Sequence, residues 1–370
     1  LAAVTLIGLD IGSTSIRAVE TRRGKAGPAI TNFGQAMLPN GAVQGGVIHD
    51  DKAVTLALKQ LWATTKFRSR QVVLGVTNRQ VVVREMSVAN LPDREMRKSL
   101  PFQVRDVLPL PVERSLLDFY RLEDPGTNKT VRGLLIAAPK EAVLTAVHAT
   151  ERAGLHVARV DLASFALLRA ASRLDSQVEA IVDIGADSMT IVVHTDGEPV
   201  IVRTIPRGGA EMTEMIAKRL DVTVAEAESL KCRVGLQAAA SGTAASGTAE
   251  VGTAEAGTAE RQIAERQTAN GGDPAEAIQE AVRPLINEIR SSFAYLISGD
   301  QQTRVMRLAL SGGGSLLPGL VDALTAQLSV DVVIADPLVR LHDVSSGRPD
   351  GLERFRSSAA VSVGLTLGAV

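Results

Sequence analysis

The sequence predicts an α/β fold made of two similar halves, with a small α/β unit inserted into the first, and three observations carry that prediction. The opening Val4-Thr-Leu-Ile-Gly-Leu-Asp10 reads as a buried strand that turns through Gly12, Ser13 and Thr14 into a second strand at Ile16–Glu20. Residues 180 to 193, Ala-Ile-Val-Asp-Ile-Gly-Ala-Asp-Ser-Met-Thr-Ile-Val-Val, repeat that design of strand, Asp-Ile-Gly, small polar turn and strand. A third strand, Met306 to Leu310, runs into Ser311-Gly-Gly-Gly314 and on towards a helix near Pro318, a good first-turn residue.

The elements between these turns follow from spacing. Asp51 to Thr65 carries Val54, Leu58 and Leu61 at helical intervals, and strands follow at Gln71–Val76 and Gln80–Val88. From Leu91 the pattern changes to a charged amphipathic helix (Asp93 to Asp106), a loop through Pro109 and Pro111, and strands near Leu116–Arg121 and Val131–Ala137. A helix from Pro139 to Ala153 and a strand around His156–Val160 close what reads as an inserted subdomain. Helices are expected at Leu162–Leu174, Ala210–Leu220, Val224–Arg233 and Pro274–Ser298. Between Gln237 and Asn270 the chain turns to low complexity, with Gly-Thr-Ala at 242, 247, 252 and 257, which carries too little apolar surface to offset the entropy of ordering it. In domain terms this gives a first lobe of 1–88 completed by 160–178 and 355–370, an inserted subdomain of 89–159, a second lobe of 179–213 completed by 300–354, and 214–299 with a disordered insertion at 237–272.

Length and composition fit two lobes, each with its own core: 370 residues, 45% hydrophobic and 22% charged. Forty basic against 41 acidic side chains give a net charge of -1, which supplies no bulk field for nucleic acid or anionic lipid. The single cysteine, Cys232, excludes an intramolecular disulfide framework and suggests a reducing compartment. The apolar stretch from Ala359 is shorter than the roughly 20 residues of a membrane span, and the start lacks the basic region of a signal peptide, its missing Met suggesting trimming.

No Gly-x-x-x-x-Gly-Lys-Ser/Thr loop occurs, so phosphate binding would need another route. A tight turn at Gly12 lets backbone amides approach a polyphosphate, with Ser13 and Thr14 adding hydroxyls, while Asp10 is suited to hold Mg²⁺ through water. The second turn offers Asp183, Gly185 and Ser188 in the same roles, and Gly312, Gly313 and Gly314 offer close approach to the α-phosphate or adenosine. Any one of these turns also reads as a plain hairpin; three in this order point to a triphosphate held across an interlobe cleft.

Their spacing and order resemble the actin, Hsp70 and sugar-kinase superfamily, with phosphate motifs at Asp10–Arg17 and Asp183–Thr190 and an adenosine motif at Leu310–Leu320. The small subdomain before Leu162, the stretch Arg203–Gly209 with Gly208, and Ala225-Glu-Ala-Glu-Ser-Leu-Lys231 narrow the resemblance to the PilM family of type IV pilus assembly proteins, which is related to FtsA. The resemblance implies a duplicated actin-like (RNase H-like) ATPase fold that binds ATP and Mg²⁺, with Asp10 and Asp183 at the metal. It implies that Asp161 orients water beside Asp183, and that Glu228 and Lys231 contact ribose and base, although on a helix that pair also reads as a solvated ion pair.

The resemblance further implies a cytoplasmic platform at the inner membrane, at most a slow ATPase, that captures the N-terminal cytoplasmic tail of a PilN-like single-pass membrane protein. Pilus motor ATPases are further candidate partners, and nucleic acid and direct membrane insertion are not expected. The repeat insertion departs from the family pattern, and no FtsA-like membrane-targeting helix follows the last motif. A small-molecule kinase and an FtsA-like filament former are the alternatives. The histidines, at 49, 148, 156, 194 and 342, lack ligand spacing; Cys232 reads as packing; Arg94, Arg97, Lys98 and Arg105 form a basic face suited to solvent or an acidic partner.

Overall fold

The computed structural model describes residues 6–24, 27–124, 126–175, 177–236, 272–298, 304–339, 341 and 355–368, so that repeat residues 237–271 and His342 lie outside the described residues. Two five-stranded sheets share one topology. The first contains β1 (Ile7–Ile11), β2 (Ser15–Gly24), β3 (Gly27–Met37), β6 (Gln71–Val76) and β10 (His156–Leu162) in the order β3-β2-β1-β6-β10. The second contains β11 (Val178–Ile184), β12 (Met189–Thr195), β13 (Glu198–Ile205), β14 (Arg307–Ser311) and β15 (Asp331–Ile334) in the order β13-β12-β11-β14-β15. In both, the first three strands are antiparallel and the last two join in parallel, which makes the fold a duplicated actin-like one.

A parallel neighbour needs a crossover, and the crossovers hold the helices. Two small strands, β4 (Val43–Gln44) and β5 (Val47–Ile48), pair as a hairpin ahead of α1 (Asp51–Thr65), which begins where the Asp50 carboxylate accepts the Ala53 amide. Between β6 and β10 lies the inserted unit: β7 (Val82–Ala89), α2 (Asp93–Gln103), β8 (Ser115–Arg121) and β9 (Thr130–Pro139), then α3 (Lys140–Arg152). Strands β7, β9 and β8 form a sheet of their own, with Met96, Leu100 and Val104 packed beneath it. Two boundaries therefore move. Strand β7 pairs with β9 and not with the first sheet, so the insert starts at Val82 and not at 89. Strand β10 pairs with β6, so it belongs to the main sheet, with Ala149 of α3 packed in the same core.

The second lobe packs α5 (Gly209–Leu220), α6 (Val224–Val234), α7 (Pro274–Ser298) and α8 (Leu320–Leu328) around its sheet. Helix α6 opens with a reciprocal cap between Thr223 and Glu226. Two short helices, α4 (Ala163–Ala171) and α9 (Ala360–Leu367), lie between the sheets. Every residue of α4 but Arg169 is buried, as is Ala360–Thr366 of α9, because each packs on both sides. Their small side chains let them close up: a Cβ on Gly364 would stand 1.8 Å from the Ala166 carbonyl oxygen.

Gly364→Val should therefore lower the unfolding free energy by about 2–3 kcal/mol. Gly313→Ala, where an added Cβ meets nothing within 4 Å, should stay within about 0.5 kcal/mol. Denaturant unfolding of both variants checks this; equal losses would contradict tight helix contact.

Candidate functional site

Strand alternation aims the two key carboxylates at each other. Ile7 and Leu9 face the outer core of the first lobe, so Asp10 faces the interlobe layer, as does Gly8, which closes on Ser362 of α9. Ala180, Val182 and Ile184 face the outer core of the second lobe, so Ile181 and Asp183 face the same layer from the other side. The turns that follow match. The Gly12 amide donates to the Ser15 carbonyl at 3.0 Å, and the Gly185 amide to the Ser188 carbonyl at 2.9 Å. Each glycine amide is thus spent on shaping its turn. Ser13 is half-buried and Thr14 exposed on the first turn.

Arg17, directly across the hairpin from Asp10, lies 3.7 Å from its carboxylate. Burial pushes the Asp10 carboxyl up to about 6; Arg17 opposes the rise and the nearby Asp183 adds to it. Burial likewise raises Asp183, against the pull of a hydrogen bond with Ser311 and the charge of Arg17. The Arg17 Nε is buried without a hydrogen-bond partner. Two largely buried carboxylates thus share one guanidinium, an excess of negative charge that a divalent cation would neutralise. Among the described residues no cluster of three or more His, Cys, Asp or Glu could hold a metal. Two carboxylates suit Mg²⁺, which keeps several waters and takes the rest of its shell from phosphate oxygens.

The third turn lies beside Asp183, whose strand neighbour is Ser311. Gly312 has φ +82° and its amide donates to Ser357 at 2.9 Å; a Cβ there would meet the Ile184 carbonyl oxygen at 2.4 Å. Gly314 also packs on Ile184, and Gly313 faces open space. The helix expected near Pro318 begins only at Leu320, because Gly313–Leu316 form a tight 3₁₀ turn first. The dipole of α8 is therefore displaced from the glycines.

On the second lobe, Lys231 is 8% exposed, which overturns its reading as one half of a solvated pair. Its Nζ donates to the Gly209 carbonyl at 3.0 Å, to Thr213 Oγ1 at 2.7 Å and to Glu228 Oε2 at 2.7 Å. Burial opposes charge on the half-exposed Glu228, yet hydrogen bonds from Lys231 and Thr213 hold its carboxyl below the usual range. The Gly209 and Ala210 amides, just past Gly208, in turn donate to the carbonyls of Gly185 and Ala186, both at 2.9 Å. A continuous chain of bonds thus runs from Lys231 to the second turn. Thr213 was not legible in advance, since a threonine one turn into a helix has no motif of its own.

Asp161 lies at the carboxyl end of β10, directly ahead of α4. One carboxylate oxygen accepts its own neighbour's amide, Leu162, at 2.8 Å, and the other pairs with Arg169, which also donates to the Gly364 carbonyl at 3.1 Å. Asp161 therefore ties β10 to the two interlobe helices, and its strand position is in register with Gly75 of β6, the neighbour of the strand that carries Asp10. Asp187, unremarked in the sequence, bridges the lobes: its carboxylate accepts the Gly45 amide at 3.1 Å and its carbonyl accepts Arg79 at 3.0 Å. Tyr120 of the inserted sheet donates to Glu198 at 3.1 Å and stacks edge-on against Phe165 at 5.4 Å. Cys232 is exposed, with a thiol raised by burial and by Glu228.

Comparison with known proteins places this geometry among relatives. The family model described as Type IV pilus assembly protein PilM matches residues 8–240, and that of cell division protein FtsA matches residues 180–361. FtsA of Bacillus subtilis (strain 168) is 24% identical over 255 residues, covering 62% of this chain and 58% of that protein. FtsA of Enterococcus hirae is 25% identical over 255 residues, covering 62% and 57%. The chain thus spans a little over half the length of the curated relatives it matches. A solved PilM-PilN type IV pilus biogenesis complex is similar with a TM-score of 0.79 and 26% identity, over 98% of both chains. MreB 5 of Spiroplasma citri bound to AMPPNP is similar in fold, with a TM-score of 0.52 and 13% identity over 100% of this chain and 97% of that one.

The raised carboxyls make stability depend on pH. Asp10 ionises near 3.8 when unfolded and near about 6 when folded, so between those values the folded chain holds the extra proton. Its contribution is complete below about 4 and is lost as pH rises through about 6. Thermal melting of the nucleotide-free chain should show that decline, and Asp10→Asn should flatten it and melt higher at pH 7; an unchanged slope would contradict the shared-cation arrangement.

Proposed function

Since the chain belongs to the PilM family of type IV pilus assembly proteins, we propose that it is an actin-like platform which takes a Mg-nucleotide between its lobes and captures the cytoplasmic tail of a PilN-like membrane protein. The observation that carries the nucleotide half is the pair of largely buried carboxylates, Asp10 and Asp183, sharing the cation of Arg17. Asp10 and Asp183 would hold the metal, which supplies charge neutralisation for the phosphates. The turns at Gly12–Thr14 and Gly185–Ser188 would face those phosphates from opposite lobes, and Gly313 leaves room for the nucleoside side. Lys231 and Glu228 brace the second turn through Gly209; the Glu228 carboxylate is about half exposed and open to a ribose hydroxyl.

A bound AMPPNP in the MreB relative supports the nucleotide, and the PilN chain of the PilM complex supports the partner. The inserted sheet supplies a fitting surface, because β8 is one of its edges and a strand edge accepts an extended peptide through backbone hydrogen bonds. No helix among the described residues is long and apolar enough to cross a membrane, so on this reading attachment to the inner membrane runs through the partner. Turnover is slow or absent; nucleotide acts by favouring one arrangement of lobes already joined by Asp187 and Tyr120.

Titration calorimetry tests both halves. Mg-ATP should bind the full chain, and Asp10→Asn and Asp183→Asn should each weaken Mg-dependent binding by at least about tenfold, or ~1.4 kcal/mol. Wild-type affinity should also weaken as pH falls below about 6, where Asp10 takes up a proton. A PilN-like tail peptide should then bind the nucleotide-loaded chain. Unchanged affinity in both variants would sink the metal site, and turnover on small alcohols without peptide binding would favour a kinase.

A further inference from the structure

Helix α2 covers the inserted sheet with one face and turns the other to solvent. Met96 and Leu100, one helical turn apart, are 4% and 1% exposed and sit in the insert's core with Val104. The opposite face carries Arg94, Arg97, Lys98 and Phe102, all exposed, and the spacing of four from Arg94 to Lys98 to Phe102 sets those three in one row. Among the described residues, Arg94, Arg97 and Lys98 pair with no carboxylate. Of the acidic groups on the helix, Asp93 is taken by Arg121, and Glu95 stands at the border of the face. Arg105, just past the helix, adds a fourth cation, 3.7 Å from the exposed Glu113.

Phe102 is 83% exposed, more than any other large apolar side chain among the described residues. A lone apolar side chain on a surface is ordinary, but this one ends a row of unpaired cations on the outer face of a helix. That is the pattern with which a helix meets the boundary between anionic headgroups and acyl chains. The charge is local, since the whole chain carries a net charge of only -1. An acidic protein would have to supply carboxylates in register with the cations and a recess for the ring, whereas an anionic bilayer offers both to any convex face.

We infer that the outer face of α2 is a peripheral docking surface for an anionic lipid membrane, with Arg94, Arg97 and Lys98 against the headgroup phosphates and Phe102 entering the acyl boundary. The contact is weak by itself. Each cation at an anionic surface strengthens partitioning about fivefold, so three give on the order of a hundredfold, and added salt screens the effect. It therefore adds to attachment through a membrane partner and does not replace it, since stable anchoring takes two such signals. Helix α2 packs against β8, so a tail on that strand edge and a bilayer on the helix would engage the same small unit.

Vesicle co-sedimentation of the full chain, without partner or nucleotide, tests this apart from the nucleotide and tail readings. At low ionic strength the chain should bind vesicles that contain phosphatidylglycerol and not vesicles of phosphatidylcholine alone, and salt should release it. Joint Arg94→Gln, Arg97→Gln and Lys98→Gln should weaken binding by at least about tenfold, and Phe102→Ser by about tenfold, with melting temperatures unchanged because all four side chains are exposed. Joint Lys52→Gln and Lys59→Gln, which removes two exposed cations from α1, should leave binding within about twofold. The emission added by Phe102→Trp should be quenched by bromine-labelled acyl chains in the anionic vesicles. No binding to those vesicles, equal loss in the α1 variant, full binding by Phe102→Ser, or binding to a poly-glutamate peptide without binding to vesicles would each overturn the inference, the last in favour of an acidic protein.

Discussion

The layer between the two sheets governs the molecule. Two helices, α4 and α9, fill it, and glycine and alanine at their contact hold the sheets close enough that whatever the strands turn inwards must share one confined space. Inward residues are apolar along most of each strand, as Ile181, Val192 and Ala309 are. At the carboxyl ends they become Asp10, Asp183 and Ser311, and Arg17 is the cation, among the described residues, that acts on both carboxylates. Ending a tight apolar layer in surplus, largely buried charge costs stability, and on the proposed reading that cost would fall when a cation and its phosphates arrive. Binding and lobe arrangement would then be coupled by the same residues.

Around that centre the polar ties are few and specific. Lys231 reaches the second turn through Gly209, so α5 and α6 move with it; Asp187 on the same turn reaches Gly45 and Arg79 of the first lobe. The inserted unit touches the second lobe through Tyr120 and Glu198, and burial and the neighbouring carboxylate push the tyrosine hydroxyl up to about 12, so it stays a donor at physiological pH. On the proposed reading, a partner seated on the inserted sheet and a nucleotide between the lobes would thus meet through contacts that already exist.

Much of this was legible in the chain. The repeated Asp-Ile-Gly announced the duplication because a hairpin turn constrains sequence tightly, and the helical spacing of Val54, Leu58 and Leu61 marked α1. Strands β3, β13 and β15 were not legible. Strand β3 mixes Gly, Pro and Asn with half-exposed residues at the edge of its sheet, and β15 is four residues long. The insert's boundaries were misplaced because β7 and β10 look alike as strands, and only pairing tells which sheet each joins. The tie between Asp161 and Arg169 was hidden for a related reason: Arg169 sits two turns along α4, and nothing in the spacing says that the two will meet. Arg17 and Asp187 lay inside the expected motifs, but their roles depend on what faces them from the other lobe, which a local pattern cannot encode.

The central claim is that one nucleotide is held by both lobes at once, and hydrogen–deuterium exchange of the full chain with and without Mg-ATP tests it most directly. Amides in the turns at 12–15, 185–188 and 312–316 should slow together, and should do so only when Mg²⁺ is present. Protection confined to one lobe, or the same protection without the metal, would contradict the account.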